Sequence, residues 1–141
     1  MKHSQKAKYI VLTCMLAVGI CSALALWKAL RPTGDLPYER VTMEQAMEYM
    51  AFEEGYVLLD IGTAEEYTRR HIAGALNIPY DALLASVPGE IPDKTKVIYV
   101  YGREEKPEDK ACRKLSELGY TGVTAIGLMD DWPGDFEGSD L

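Results

Sequence analysis

Three cysteines and two histidines are the chain's supply of thiol and imidazole, the groups that most often attack, shuttle protons or bind transition metals. His71 has Asp60 and Glu66 near it in sequence, a grouping that could form a general-base dyad. Cys14 and Cys21 lie in an uncharged N-terminal run. The rest of the chain keeps Cys112 alone and cannot form an internal disulfide. Cys112 lies five residues beyond Pro107, beside Ala111 and Leu115. On a helix begun at Pro107 that is about 7.5 Å from its start. Such spacing belongs to a core position, with nothing near to lower the thiol pKa. The stretch GREEKPEDK, opening at Gly102, sets Arg103 and Lys106 among Glu104 and Glu105, and its mixed charge reads as a solvated loop. Neither the histidines nor any cysteine or carboxylate cluster has metal-ligand spacing, so no metal and no cofactor is expected.

The elements that must position these groups follow from periodicity and punctuation. Val57 to Leu59 is an apolar run ending in Asp60, as in a short strand buried on both faces. Thr63 and Glu66 make a capping box that opens a brief helix. His71 to Gly74 break it, and Ala75 to Ile78 return as a strand closed by Pro79. Upstream, Thr42 and Gln45 form a second box, and Met43, Ala46, Met47 and Met50 share one helical face before Gly55. Downstream, Asp81 is expected to cap a short helix through Leu84, with Val87 to Pro92 as connection. Lys96 to Tyr101 reads as a central strand. Pro107 suits a first helical position, with Ala111, Leu115 and Leu118 inward and Gly119 as the stop. Val123 to Ile126 is a last strand, and the acidic tail from Pro133 should fray. Alternation on this scale predicts an α/β fold, a parallel-dominated sheet with helices on both faces. Sites in such sheets lie at the carboxyl ends of strands, here the loops after Asp60 and Tyr101.

Asp60, Thr63, Glu65, Glu66, Tyr67, His71, Ile72, Gly74, Ala75, Asn77, Ile78 and Pro79 stand in the order typical of rhodanese-like domains. The chain resembles that family from Tyr38 to Trp132. Gly127 to Trp132 is similar to the turn and tryptophan that close such domains, with Leu128 where a second glycine is common. The resemblance implies a cysteine at the end of the strand matching Val97 to Tyr101. Its sulfur anion would be held by loop N–H groups and a helix N-terminus. That position falls on Tyr101, or one residue later on Gly102, and neither carries sulfur. Tyr101, Gly102, Arg103, Glu104, Glu105 and Lys106 therefore read as a degenerate active-site loop. Glu104 and Glu105 oppose an anion, and Pro107 deletes a donor. The phosphatase branch of the same scaffold also needs a cysteine there. Gly62 stands where the family usually has arginine. Asp60, Glu66, His71, Gly74 and Trp132 are expected in structural roles, His71 holding its turn by hydrogen bonding. The resemblance thus implies an inactive binding or regulatory module, with a protein or small ligand at the loops after Asp60 and Tyr101. The alternatives are a sulfurtransferase using Cys112 or a partner's thiol, and a structural spacer.

With 141 residues and 48% hydrophobic content the chain has room for one domain with a core. Five of the 15 basic residues precede Asp35, the first acidic residue, which leaves 10 against 22 acidic residues and a net charge of −12 beyond them. So acidic a domain would repel phosphate backbones, which argues against nucleic acid as a partner. Tyr9 to Trp27 carries no charged residue. As a helix it would span about 28 Å, close to the ~30 Å hydrocarbon core. The division expected is a basic flank (1–8), a membrane-spanning signal anchor (9–30), a stiff linker (31–37), the domain (38–132) and the acidic tail (133–141). Basic residues before the span place the N-terminus in the cytoplasm and the domain outside. Ala23, Leu24 and Ala25 also fit a cleavage site, so export after signal-peptide removal near Ala25 is the alternative.

Overall fold

The computed structural model describes residues 37–140. The expected flank, membrane span and most of the linker lie outside the described residues. Among those described, no helix is long and apolar enough to cross a membrane.

Strand β1 (Glu39–Arg40) leads to helix α1 (Met43–Met50). Thr42 Oγ1 accepts from Gln45 N–H while the Gln45 side chain accepts from Thr42 N–H, so two of the helix's free donors are satisfied reciprocally. Strand β2 (Val57–Asp60) follows, then α2 (Ala64–Arg69), opened by the same device between Thr63 and Glu66. Short strands β3 (His71–Ile72) and β4 (Leu76–Asn77) flank a turn at Gly74, whose φ of +78° favours a residue without Cβ. A 3₁₀ turn (Tyr80–Ala82) runs into α3 (Leu83–Glu90), and β5 (Val97–Gly102), α4 (Glu105–Glu117), β6 (Gly122–Leu128) and β7 (Phe136–Glu137) complete the described chain.

Five strands form one sheet in the order β1-β6-β5-β2-β4, and every pairing in it is parallel. Alternate residues of the central strands feed two cores, as the two-residue period of a strand requires. Leu59, Ile98, Val100, Val123 and Ala125 pack with Leu83, Val87, Ala111 and Leu115 of α3 and α4. On the other face, Leu58, Tyr99, Tyr101 and Ile126 pack with Met43 and Ala46 of α1 and with Ile72. Side chains such as Leu59 and Ile98, with no exposed surface, are each worth about 1.5–3 kcal/mol of transfer free energy. The α/β architecture with helices on both faces is as expected.

Three local expectations are corrected. Asp81 caps no helix: it lies within the 3₁₀ turn, and α3 runs on to Glu90 with Pro88 inside it. Leu83 and Val87, one helical turn apart, are both fully buried, and that burial outweighs the missing Pro88 donor. Helix α4 begins at Glu105, so Pro107 is its third residue, where an N–H would have no partner within the helix. The tail does not fray. Strand β7 pairs antiparallel with β3, Ala73 N–H donates to Asp135 O at 3.1 Å, and Ser139 and Asp140 N–H groups reach Thr68 O and Arg69 O at 3.0 Å. The Arg70 guanidinium lies 3.9 Å over the Phe136 ring. At Gly138 (φ +140°) a Cβ would sit 2.2 Å from Arg69 O, so this close crossing requires glycine.

Candidate functional site

Strands β2 and β5 run side by side and in register, so Asp60 and Tyr101 arrive opposite each other at their carboxyl ends. The Asp60 side chain has no exposed surface. A carboxylate so placed needs donors, because stripping water from a charge costs several kcal/mol. Asp60 Oδ1 accepts from Gly62 N–H at 2.7 Å and Arg103 Nη1 at 2.8 Å. Its Oδ2 accepts from the Tyr101 hydroxyl at 2.7 Å and Arg103 Nη2 at 3.3 Å. The same Nη2 donates to Arg70 O at 2.9 Å. Tyr101 is buried too, and its hydroxyl accepts from Ile72 N–H at 3.1 Å. Burial, and then the hydrogen bond to Asp60, push the phenol well above its ordinary range. Burial opposes the Arg103 charge, but the bonds and proximity to Asp60 outweigh it and hold the guanidinium above its usual value. Asn77 Nδ2 closes the floor, donating to Asp60 O at 3.1 Å and Gly62 O at 2.9 Å.

Arg103 is therefore no solvated loop residue, as its charged neighbourhood had suggested. Its guanidinium occupies the space beside Gly62, where a Cβ would come within 2.0 Å of Nη1. Gly102 ends β5, and a Cβ there would meet Ile61 Cδ1 and Glu104 O at 3.4 Å. Glu104, Glu105 and Lys106 are exposed. Glu104 sits at the N-cap position of α4 without a capping bond from its side chain. The register shift between Val100 and Tyr101 leaves Ile126 as an extra residue on β6. Beyond it Gly127 N–H reaches Glu108 Oε1 at 2.6 Å, and Arg40 Nη1 meets Glu108 Oε2 at 3.1 Å. Burial raises the Glu108 pKa against both partners. Cys112 follows one turn along, fully buried, and burial, reinforced by Glu108, pushes its thiol far above the reactive range.

The other residues singled out in sequence surround β3. Glu66 works as the third residue of α2, bound to Thr63 N–H at 2.8 Å. His71 Nδ1 lies 2.7 Å from Tyr67 O, its ring stacks on Tyr67 at 3.7 Å, and Nε2 is 3.3 Å from Glu137 Oε2. Because a carbonyl can only accept, Nδ1 carries the proton, and neither Asp60 nor Glu66 bonds to the ring. Trp132 packs against the cluster of Met43, Ile72 and Tyr101, and its indole N–H has no partner. Asn77 stood in the sequence pattern, but nothing local assigned it to the floor. The Arg70 carbonyl carried no signal, since any residue supplies one. Among the described residues no group of three or more His, Cys, Asp or Glu side chains could hold a metal ion. Among the described residues no exposed thiol faces the loop: the segment from Gly102 to Ala111 contains no cysteine, and Cys112 points into the core.

A sequence model of the rhodanese-like domain matches residues 42–132. Thiosulfate sulfurtransferase PspE of Escherichia coli is 33% identical over 73 residues, 52% of this chain and 70% of that protein. The adenylyltransferase and sulfurtransferase uba4 of Ogataea parapolymorpha is 30% identical over 95 residues, 67% of this chain but 23% of its own length. Among solved structures, a rhodanese of E. coli described with anions superposes with a TM-score of 0.57 at 28% identity, covering 60% of this chain and all of its own. A protein of Bacillus halodurans superposes with a TM-score of 0.62 at 26% identity, covering 74% of this chain and 79% of its own. The order of residues from Thr42 to Trp132, the parallel sheet they build and these matches agree, and the chain belongs to the family of rhodanese-like domains.

Proposed function

We propose that this protein is a membrane-anchored rhodanese-like domain that binds a partner through the loops after Asp60 and Tyr101 and does not turn over sulfur. The observation that carries this reading is the state of the loop after β5. Its inward cation, Arg103, is already neutralised by Asp60, and its outward residues include Glu104 and Glu105. Sulfur transfer needs an exposed thiolate held as an anion, and the nearest thiol in sequence, Cys112, is buried with its pKa raised. Purified full-length chain in detergent should convert no thiosulfate and cyanide to sulfite and thiocyanate above the uncatalysed rate. The names of two relatives favour a second reading, a sulfurtransferase, which in this chain would use Cys112 or a partner's thiol. Robust turnover abolished by Cys112→Ser would establish that reading and overturn the first.

The anchor rests on the uncharged run from Tyr9 to Trp27 and the lysines before it. The chain should sediment with membranes, and protease added outside intact cells should digest residues 38–132. A soluble chain, or a domain protected from that protease, would refute the anchor and its orientation.

A further inference from the structure

Residue 62 has no side chain, and the space it leaves is filled from another part of the fold. A Cβ at Gly62 would lie 2.0 Å from Arg103 Nη1, 2.7 Å from Arg103 Cζ and 2.9 Å from Asp60 Oδ1. The guanidinium thus fits as a plug into a socket whose wall is the bare backbone of Gly62. From that socket it bonds two partners belonging to different elements. The Asp60 carboxylate at the end of β2 takes a forked pair, and Arg70 O beyond the end of α2 takes another bond from Nη2. Arg103 itself belongs to the loop between β5 and α4. One side chain therefore ties that loop to β2 and to the α2–β3 junction. It is also the cation that faces Asp60 in the ion pair, and the Arg103 side chain keeps only 19% of its surface exposed.

We propose that Arg103 is a latch: plugged into the Gly62 socket, it locks the β5–α4 connection, residues 102–106, shut against β2 and makes the two candidate recognition loops one preformed surface. The latch is a positioning device. Glu104, Glu105 and Lys106 stay exposed, and Arg103 fixes where they stand. With the guanidinium seated, its charge and forked donors are committed to Asp60 and Arg70 O and are not offered to an anion in solution. The inference deepens the reading of these loops as a binding surface, and that reading is where its functional meaning rests.

Two designs test it by amide hydrogen exchange and urea unfolding of the full-length chain. Gly62→Ala keeps every charge but places a methyl in the socket, so the guanidinium must leave. Exchange at residues 102–106 should rise about tenfold or more relative to the core of β5, and unchanged exchange would overturn the latch. The second design moves the cation. Arg103→Ala leaves Asp60 buried and unpaired and should lower the folding constant by roughly 100-fold or more. Gly62→Arg with Arg103→Ala supplies a guanidinium from residue 62 itself. It should regain at least about tenfold of that loss, while exchange at 102–106 stays raised because the cation no longer belongs to the loop. A double variant with its loop as protected as the wild type, or one as unstable as the two single changes combined, would refute the proposal. If Arg103→Ala fails to fold, Arg103→Lys keeps the charge without the fork, and loop exchange in it should still rise. These measurements read folding and loop order alone, so a failed latch leaves the binding reading standing, and a failed partner search leaves the latch standing.

Discussion

At the scale of single residues, Asp60 decides what its neighbours can be. A fully buried carboxylate must be met by donors, and the Tyr101 hydroxyl serves twice, donating to Asp60 and accepting from Ile72 N–H. This separates the two alignments of the missing cysteine. Residue 101 faces the α1 side of the sheet, inside the cluster of Met43, Ile72 and Ile126, and its side chain does not enter the loop. Residue 102 has room for a Cβ at ordinary contact distance, beside the first residues of the loop. Tyr101→Cys should therefore cost about 3 kcal/mol or more, from a cavity, from Ile72 N–H left without its acceptor and from one donor lost to Asp60. Gly102→Cys should fold within about 1 kcal/mol of the wild type and react with a thiol reagent in the native state. Urea denaturation and labelling of both variants would check this, and the reverse ranking would show the cysteine position assigned to the wrong residue. The ends of strands and the capping residues were legible because their signals are local. The bond between Asp60 and Arg103 was not. It joins residues 43 apart, and the local charges around Arg103 are those of a solvated loop.

Elements in this fold are held at their ends as much as by their faces. Both capping boxes formed as their sequences indicated, since a hydroxyl and an amide or carboxylate three residues apart need only each other. Helix α3 and strand β7 depended on distant partners and were misjudged from sequence. The first is held by Leu83 and Val87 against the sheet, the second by pairing with β3, a strand 64 residues earlier at its nearest register. The Glu66 cap has a pH signature. The Thr63 backbone N–H, then the Thr63 hydroxyl, hold the Glu66 carboxyl below its ordinary value of 4.5, and burial only partly opposes them. A carboxyl with a lowered folded-state pKa binds fewer protons folded than unfolded. Its contribution to stability is thus present in full above about 4.5 and is lost as pH falls through the lowered value. Glu66→Gln keeps the geometry of the box and removes the titration. The stability advantage of wild type over this variant should be constant from pH 7 to about pH 5.5 and shrink below 4.5. Urea unfolding at a series of pH values measures it, and an advantage that grew in acid would contradict the assigned cause.

For the whole molecule, sulfur transfer would turn on whether a nucleophile can reach solvent without the fold coming apart. The acidic balance, −12 beyond the first five basic residues, already disfavours small anionic substrates unless a local cation gathers them. Arg103 is committed to Asp60, so the loop offers Lys106 against Glu104 and Glu105. The α/β class and the two-sided core were readable because period-two strands and period-3.6 helices state which faces are buried. Sheet order was not, because parallel neighbours are joined through helices and leave no local trace. Cys112 lies at the centre of what that order builds. It packs on α4 among Ile98, Val100, Leu83 and Leu115, contributed by strands and helices on one face of the sheet. No single loop movement exposes it, and only separation of α4 from the sheet would do so. In a Cys14→Ser, Cys21→Ser background, the thiol should therefore react with maleimide or iodoacetamide only through global unfolding. Its labelling rate should fall with the folding constant and rise with urea along the same slope as the loss of structure. It should change little on adding thiosulfate. If Cys112 were the sulfur carrier, the native thiol would react quickly without denaturant. After thiosulfate, whose outer sulfur passes to the thiolate as sulfite leaves, the label would sit on a persulfide and come off with dithiothreitol. Fast native labelling of that kind would mean that α4 opens on its own and would return Cys112 to the list of catalytic candidates.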